Sequence, residues 1–230
     1  MRLLAIVLAT LFPLVLGGAT TPAAKGNWLR VVNTTADNSH VLGNPDARLK
    51  LTEFISYTCP RCAEFEVQSE AQLKLTFLAK GEGSIEVRHF VRDPVDLTVA
   101  LLTNCGPKEK FFANHAAFLR SQPKWIGPLQ RVTPQLRQRW SAGEFRTRTR
   151  NIAQDLGFYP MMRARGYTSA QVDACLADEA LANRLAEQRQ QDAERLGVQG
   201  TPSFAINGVL LAGAHDWAAL APELRARMGR

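Results

Sequence analysis

The chain has 230 residues, 46% of them hydrophobic and 21% charged, which is enough for one sizeable domain or for a domain with a large insertion. Its 28 Lys and Arg residues outnumber its 21 Asp and Glu residues and give a formal net charge of +7. Because basic and acidic residues are interspersed, as on a solvated helical surface, the charge pattern argues against a nucleic-acid-binding protein.

Residues 1–19 have the three parts of a secretory signal peptide. Arg2 precedes an apolar run at residues 3–16, and small residues follow at 17–19. The alternative is a membrane anchor, but the apolar run is shorter than the roughly 20 residues that a spanning helix needs. We therefore predict export of the chain and cleavage after Ala19.

A strand, a helix and a second strand are predicted after a polar lead-in at residues 20–40. Residues 49–57 form an apolar run typical of a buried strand, and residues 84–91 alternate as a second strand does. The helix between them begins near Cys59 and ends at Gly81. Its predicted buried face consists of Ala63, Val67, Ala71, Leu75 and Leu78.

The motif Cys59-Pro60-Arg61-Cys62 stands where the first strand gives way to this helix. Two thiols three residues apart at a helix start are close enough to form a disulfide across the first turn. The Cys59 thiol faces the positive end of the helix dipole, which favours the reactive thiolate. The motif therefore predicts thiol–disulfide exchange.

Two further cysteines, Cys105 and Cys175, bring the total to four. An even number in an exported protein suggests two pairs, and the close spacing of Cys59 and Cys62 makes them natural partners. Cys105 and Cys175 then form a structural disulfide. The alternative is a four-thiolate zinc site, although such sites usually contain two closely spaced pairs. We predict the disulfide, and neither a metal nor a cofactor.

The pattern is helical over residues 95–197, with Pro123, Pro128 and Pro134 expected to divide short helices. Thr168 to Gln171 has the form of a capping box. The last part of the chain contains Thr201-Pro202, a β-hairpin with its turn at Asn207-Gly208, and a helix at 216–228. The order β–α–β, helical block, β–β–α predicts an α/β thioredoxin-like fold, formed by residues 41–94 and 198–230, with an all-helical insertion.

The stretch 51–62 (LTEFISYTCPRC), together with 200–204 (GTPSF), resembles the DsbA-type thiol–disulfide oxidoreductases of the bacterial periplasm. The resemblance implies that Cys59 is the attacking cysteine and Cys62 the buried resolving one. Pro202 matches the cis-proline that lies opposite this pair and leaves backbone groups free for an extended substrate. Glu53 matches a buried carboxylate that takes the proton of Cys62, unless it faces solvent as an ordinary strand residue.

Arg61 and Thr201 leave the redox properties open. Arg61 stands where the family most often has His; its permanent charge either stabilises the Cys59 thiolate or points to solvent. Thr201 precedes the cis-proline, a position that tunes redox behaviour in related proteins and where isomerases and reductases also have Thr.

The function implied by the resemblance is a periplasmic enzyme that donates its Cys59–Cys62 disulfide to reduced, newly exported proteins. A membrane partner of the DsbB kind would reoxidise it, and no nucleic acid would take part. The alternatives are a disulfide isomerase or reductase and, from another class, a peptide-binding chaperone with incidental thiols. Isomerases generally add an N-terminal oligomerisation segment, for which residues 20–40 look too short. We therefore expect a monomer.

Overall fold

A computed structural model describes residues 27–229 of the chain; the predicted signal peptide lies outside the described residues. Six strands form one sheet in the order β1-β2-β4-β3-β5-β6. Only β3 and β4 are parallel, and the other neighbours are antiparallel. The strand bounds are β1 Val32–Thr34, β2 His40–Gly43, β3 Leu49–Ile55, β4 Gly83–His89, β5 Ser203–Ile206 and β6 Val209–Leu210.

Residues 27–229 contain nine α-helices, seven of which lie between β4 and β5. The predicted thioredoxin-like fold with an all-helical insertion is confirmed by this element order. In the part of the chain that the structure describes, no helix is both long and apolar enough to cross a membrane. The helix bounds are α1 Pro60–Gln72, α2 Pro94–Thr103, α3 Phe111–Trp125, α4 Pro134–Ser141, α5 Phe145–Asp155, α6 Phe158–Ala164, α7 Ser169–Leu176, α8 Glu179–Leu196 and α9 Trp217–Met228.

The predicted lead-in contributes a strand to the sheet. Val32 in β1 pairs with Leu42 in β2, and both side chains are buried. They pack in one apolar cluster with Phe77 and Leu78, from the π-helical turn that continues α1. The lead-in is thus held at the sheet edge by the pairing of this strand and the burial of Val32.

The predicted buried face of this helix is wrong at three of its five positions: Ala63 and Leu78 are buried, but Val67, Ala71 and Leu75 are exposed. Val67 and Leu75 are 65% and 69% exposed. The observed face is shared by apolar and polar side chains and includes Phe65, Glu66 and Ser69. Because two of its buried positions are polar, the apolar periodicity alone does not define this face.

Pro123 does not divide two helices as predicted; it lies inside α3, two residues before the helix ends. Its missing N–H removes one helical hydrogen bond, and the helix ends two residues later. Pro128 lies in a short 3₁₀ turn and Pro134 begins α4. The capping box at Thr168 and Gln171 is confirmed.

The insertion and the cysteine motif share one core. Cys62 belongs to the same apolar cluster as Phe118, Trp125 and Phe158 of the insertion, and these three aromatic rings meet edge to face. Cys105 belongs to the same cluster and forms a disulfide with Cys175, with a Cα–Cα distance of 5.6 Å. Neither sulfur is therefore a free thiolate for zinc.

Candidate active site

The Cys59–Cys62 pair lies at the N-terminus of α1, directly after β3. Cys59 is the N-cap residue and Pro60 occupies the first helical turn, where the missing N–H costs no hydrogen bond. The Cys59 carbonyl oxygen accepts hydrogen bonds from the N–H groups of Cys62 and Ala63 at 3.1 and 3.4 Å. Both thiols are free, so the structure shows the reduced pair.

Cys59 is held as a thiolate. Its pKa is lowered to about 5, chiefly by a hydrogen bond from the Cys62 thiol, with smaller contributions from the Thr201 hydroxyl and the backbone N–H groups of Cys62 and Arg61. Burial opposes these effects. The Cys59 Sγ lies 3.2 Å from the Thr201 carbonyl oxygen, to which the protonated thiol donates a hydrogen bond. At neutral pH the Cys59 sulfur is therefore a nucleophile.

Cys62 has the opposite character. It is fully buried, and burial raises its pKa well above the ordinary value, an effect reinforced by the hydrogen bond to Cys59. The pair thus consists of one thiolate and one thiol at neutral pH. Such a pair stabilises the reduced form, which makes the corresponding disulfide easier to reduce.

The loop before β5 lies opposite the pair and contains a cis peptide bond between Thr201 and Pro202. The Thr201 hydroxyl is buried and lies close enough to the two active-site sulfurs to lower the pKa of each, although it makes no regular hydrogen bond among the described residues. The Pro202 carbonyl oxygen accepts a hydrogen bond from His215 Nδ1 at 2.9 Å. His215 was not predicted to lie near the site, since nothing in its spacing from the motif indicates it.

Glu53 lies in the middle of the sheet, paired with Val87 of β4 on one side and Phe204 of β5 on the other. It is only 5% exposed, and burial followed by repulsion from Glu66 raises its pKa to about 8. At neutral pH Glu53 is therefore a neutral acid that can release a proton and regain it. The solvent-facing alternative does not hold.

Pro60 and Arg61 are exposed. Within residues 27–229 the Arg61 side chain makes no ion pair and no hydrogen bond to the protein, and its support of the Cys59 thiolate comes from the backbone N–H. Of the two possibilities left open by the sequence, the structure favours an arginine directed to solvent.

Two insertion residues that sequence reasoning missed hold the loop before Cys59. Gln122 Nε2, from α3, donates to the carbonyl oxygens of Tyr57 at 2.6 Å and Cys59 at 2.9 Å. Asp96, from α2, accepts from the N–H of Tyr57 at 2.7 Å. Both side chains are buried, and burial raises the pKa of Asp96 to about 7. Neither residue belongs to a motif, so only their burial in the folded chain reveals the role.

Three buried histidines lie around Phe111, although their spacing in the sequence is not that of a metal site. The His40 ring stacks on Phe111 at a centroid distance of 3.8 Å, and His89 and His115 lie 5.7 and 5.9 Å from it. Burial lowers their pKa values to about 4, 3 and 3, so all three are neutral. Among the described residues, no group of three or more His, Cys, Asp or Glu is arranged to hold a metal.

A family model described as Thioredoxin matches residues 35–224. The chain belongs to the thioredoxin family. A protein-disulfide isomerase from Novosphingobium aromaticivorans, known from a crystal structure, is 55% identical to this chain with a TM-score of 0.82. The match covers 85% of this chain and 100% of that protein.

A second neighbour shows likeness of fold alone. The structure of alpha-DsbA1 from Wolbachia pipientis is 20% identical with a TM-score of 0.63, and the match covers 85% of this chain and 94% of that protein. The predicted resemblance to DsbA-type proteins is confirmed at the level of the fold.

Relatives of known sequence have names of the same class. The proteins from Rickettsia bellii and Rickettsia conorii, each named "Putative protein-disulfide oxidoreductase", are 26% identical over 174 and 189 residues. The matches cover 75% and 82% of this chain but only 58% and 59% of the relatives' own length. The predicted enzyme class agrees with these names.

Proposed function

We propose that the protein is a thiol–disulfide oxidoreductase that donates the Cys59–Cys62 disulfide to reduced protein substrates. The observation that carries the proposal is the opposed character of the two sulfurs, a Cys59 thiolate and a buried Cys62 thiol, next to the cis Thr201–Pro202 bond. The family match and the names of the relatives support the same chemistry.

The reaction consists of two exchanges. A substrate thiolate attacks the Cys59 sulfur of the enzyme disulfide, the S–S bond breaks, and its electron pair goes to Cys62. The Cys62 sulfur takes a proton, because its raised pKa disfavours the thiolate. A second substrate thiolate then attacks the mixed disulfide and releases the Cys59 thiolate. Two electrons have passed to the enzyme, and the substrate has gained one disulfide.

By the resemblance to DsbA-type proteins, Glu53 supplies the proton to Cys62 in this scheme. Its carboxyl group is buried beneath α1 and is protonated below a pH of about 8. In the return reaction the Glu53 carboxylate would take the Cys62 proton back, so that Cys62 can attack the sulfur of Cys59. A pKa near the working pH is what such a proton donor and acceptor needs.

We place the enzyme in the periplasm, as a monomer acting on reduced, newly exported proteins. The signal-peptide pattern of residues 1–19 and the resemblance to DsbA-type proteins support this location. By the same resemblance, a membrane partner of the DsbB kind would reoxidise the pair. An extended substrate segment would contact the backbone of the loop at Thr201 and Pro202.

The test is the reduction potential of the Cys59–Cys62 pair in glutathione buffers, with the Cys105–Cys175 disulfide intact. A value near the roughly −120 mV of a strong oxidant supports disulfide donation. A value near the roughly −270 mV of thioredoxin refutes it and points to a reductase.

A disulfide isomerase is the second candidate, favoured by the name of the 55% identical neighbour from Novosphingobium aromaticivorans. The two activities separate in one pair of assays. A donor oxidises a reduced dithiol peptide stoichiometrically, whereas an isomerase in its reduced form restores activity to a substrate with scrambled disulfides. We expect the first assay to give the larger response.

A further inference from the structure

Three loops lie side by side at the edge of the sheet where β3 ends, and the central one leads to Cys59. Because β4 and β5 flank β3 on opposite sides, the loop after β4 and the cis-proline loop before β5 lie on opposite sides of Cys59. Ile55 of β3 pairs with His89 at the end of β4, and Phe54 pairs with Ser203 at the start of β5. A substrate segment that contacts the cis-proline loop and crosses Cys59 therefore continues toward the loop after β4.

A hydrogen bond connects the loop after β4 with the redox motif. The Thr58 hydroxyl, one residue before Cys59, donates to Asp93 Oδ2 at 2.6 Å. Asp93 also caps α2, since its Oδ1 accepts from the N–H groups of Val95 and Asp96, each at 2.9 Å. The Asp93 carboxylate is thus satisfied by donors within the protein, and the loop is fixed in position relative to Cys59.

An apolar groove lies beside Asp93, between the loop after β4, α2 and the pair of helices α4 and α5. Its volume is about 440 Å³, within the range of about 300–1,000 Å³ typical of clefts that bind ligands. The Trp140 ring in its wall is held in place, because Trp140 Nε1 donates to Asp155 of α5 at 2.9 Å. The groove is therefore formed before a substrate binds. Its apolar lining, of which only Ile152 is fully buried, consists of Val91, Leu97, Trp140, Phe145 and Ile152.

Two arginines line the same groove. Arg92 is exposed and Arg148, on α5, is half-buried, and neither forms an ion pair within residues 27–229. An apolar patch rimmed by charge is typical of a binding surface. Apolar walls beside two unpaired guanidinium groups fit a large apolar side chain next to a carboxylate.

We propose that this groove is a specificity site for the protein substrate and binds a large apolar residue next to Asp or Glu, about three residues from the reacting cysteine. The inference rests on the proposed function and deepens it, because it names the substrate segment that the site selects. The spacing follows from the geometry. An extended chain advances about 3.3–3.6 Å per residue, and the groove begins beyond the hydrogen bond between Thr58 and Asp93. A segment anchored there holds the substrate thiolate near the Cys59 sulfur.

The experiment measures how fast single-cysteine peptides reduce the Cys59–Cys62 disulfide. Two peptide thiols reduce one pair and leave as a peptide disulfide, and the reaction is followed by rapid mixing, acid quenching and counting of alkylated thiols. In peptides otherwise made of Gly and Ser, Trp-Asp, Trp-Lys or Ser-Ser stands about three residues before or after the cysteine, so that both chain directions are sampled. Each rate is divided by that of the same peptide with a small aromatic disulfide, which cancels differences in thiol reactivity.

The variant is Arg148→Glu, which reverses a charge in the groove. Its matched control is Arg146→Glu, at an exposed position of the same helix outside the groove. In one chain direction, we expect the Trp-Asp peptide to reduce the wild type about 10-fold faster than Ser-Ser and about threefold faster than Trp-Lys. Arg148→Glu should prefer Trp-Lys to Trp-Asp, whereas Arg146→Glu should keep the wild-type order. Glutathione, which lacks the motif, should reduce all three proteins at the same rate.

Equal normalised rates for the Trp-Asp and Ser-Ser peptides would overturn the specificity site. Should Arg148→Glu not fold, the exposed Arg92→Glu receives the same measurements, and a peptide preference that it leaves unchanged indicates docking elsewhere and overturns the proposal too. A groove covered by a second copy of the chain is a further contrary result: sedimentation would show a dimer that the charge reversal dissociates, and the peptides would not discriminate.

The proposed function fails separately. A wild-type disulfide that glutathione does not reduce, or that has the potential of a reductase, contradicts disulfide donation whatever the groove binds.

Discussion

The thiolate at Cys59 depends mainly on its partner, and Cys62→Ala measures by how much. The hydrogen bond from the Cys62 thiol is the largest cause of the lowered Cys59 pKa. A hydrogen bond to a charged group contributes about 1.5–3 kcal/mol, and 1.36 kcal/mol corresponds to one pKa unit. Removing it should raise the Cys59 pKa from about 5 to roughly 6–7.

The assay is a pH titration of thiolate absorbance at 240 nm, repeated as the pH dependence of alkylation by iodoacetamide. It has a single reporter, because in Cys62→Ala the only free thiol is that of Cys59, the other two cysteines being disulfide-bonded. Arg61→Ala, with both active-site cysteines retained, is the control. It removes an exposed charge but keeps the backbone N–H near Cys59, and its midpoint should stay near that of the wild type.

Two outcomes would refute this reasoning. One is a Cys62→Ala midpoint that remains near 5, which would assign the low pKa of Cys59 to the helix N-terminus rather than to its partner. The other is a rise in Arg61→Ala as large as that in Cys62→Ala, which would show that the exposed guanidinium supports the thiolate.

Three further predictions concern stability. Because the pKa of Glu53 is raised in the folded state, the fold loses stability progressively as the pH rises from about 4.5 to about 8. Glu53→Gln should therefore be more stable than the wild type at pH 8 by on the order of 3 kcal/mol in urea unfolding. If its advantage over the wild type were no larger at about pH 8 than at about pH 5, the prediction would be contradicted. Gln122→Ala leaves the buried Tyr57 carbonyl oxygen unpaired, while the Cys59 carbonyl oxygen keeps its two N–H donors from α1. The variant should cost about 1–3 kcal/mol in the same assay, whereas a loss below about 0.5 kcal/mol would show that water replaces the amide. The double variant Cys105→Ala/Cys175→Ala should lose about 4 kcal/mol while the folded protein still exchanges disulfides, and an unchanged unfolding midpoint would contradict the structural role of this bridge.

Much of the fold was predictable because its signals are local. The buried strand β3, the hairpin turn with positive φ at Asn207 and Gly208, and the capping box at Thr168 each depend on neighbouring residues. The buried face of α1 was not predictable in the same way. Its polar members Glu66 and Ser69 are buried because α3 covers that side, and this contact is between elements far apart in the sequence.

The residues of the site likewise divide into those with a local sequence signal and those placed by contacts between distant elements. Cys59 and Cys62 belong to a short motif whose chemistry follows from spacing alone, and the resemblance supplied Glu53 and Pro202. Gln122 and the histidines around Phe111 have no such signal, because their roles arise when separate helices and strands pack together. Sequence reasoning therefore found the reacting atoms and missed the groups that hold and surround them.

The position of Gln122 has a consequence for protein engineering. This one amide anchors the loop of the redox motif to α3, so the helical insertion is not an interchangeable module. A chimera that took its insertion from another family member would lose the fixed position of the Cys59 backbone unless a similar donor stood at the same place. Grafting designs should therefore transfer α3 and the loop at residues 56–59 together.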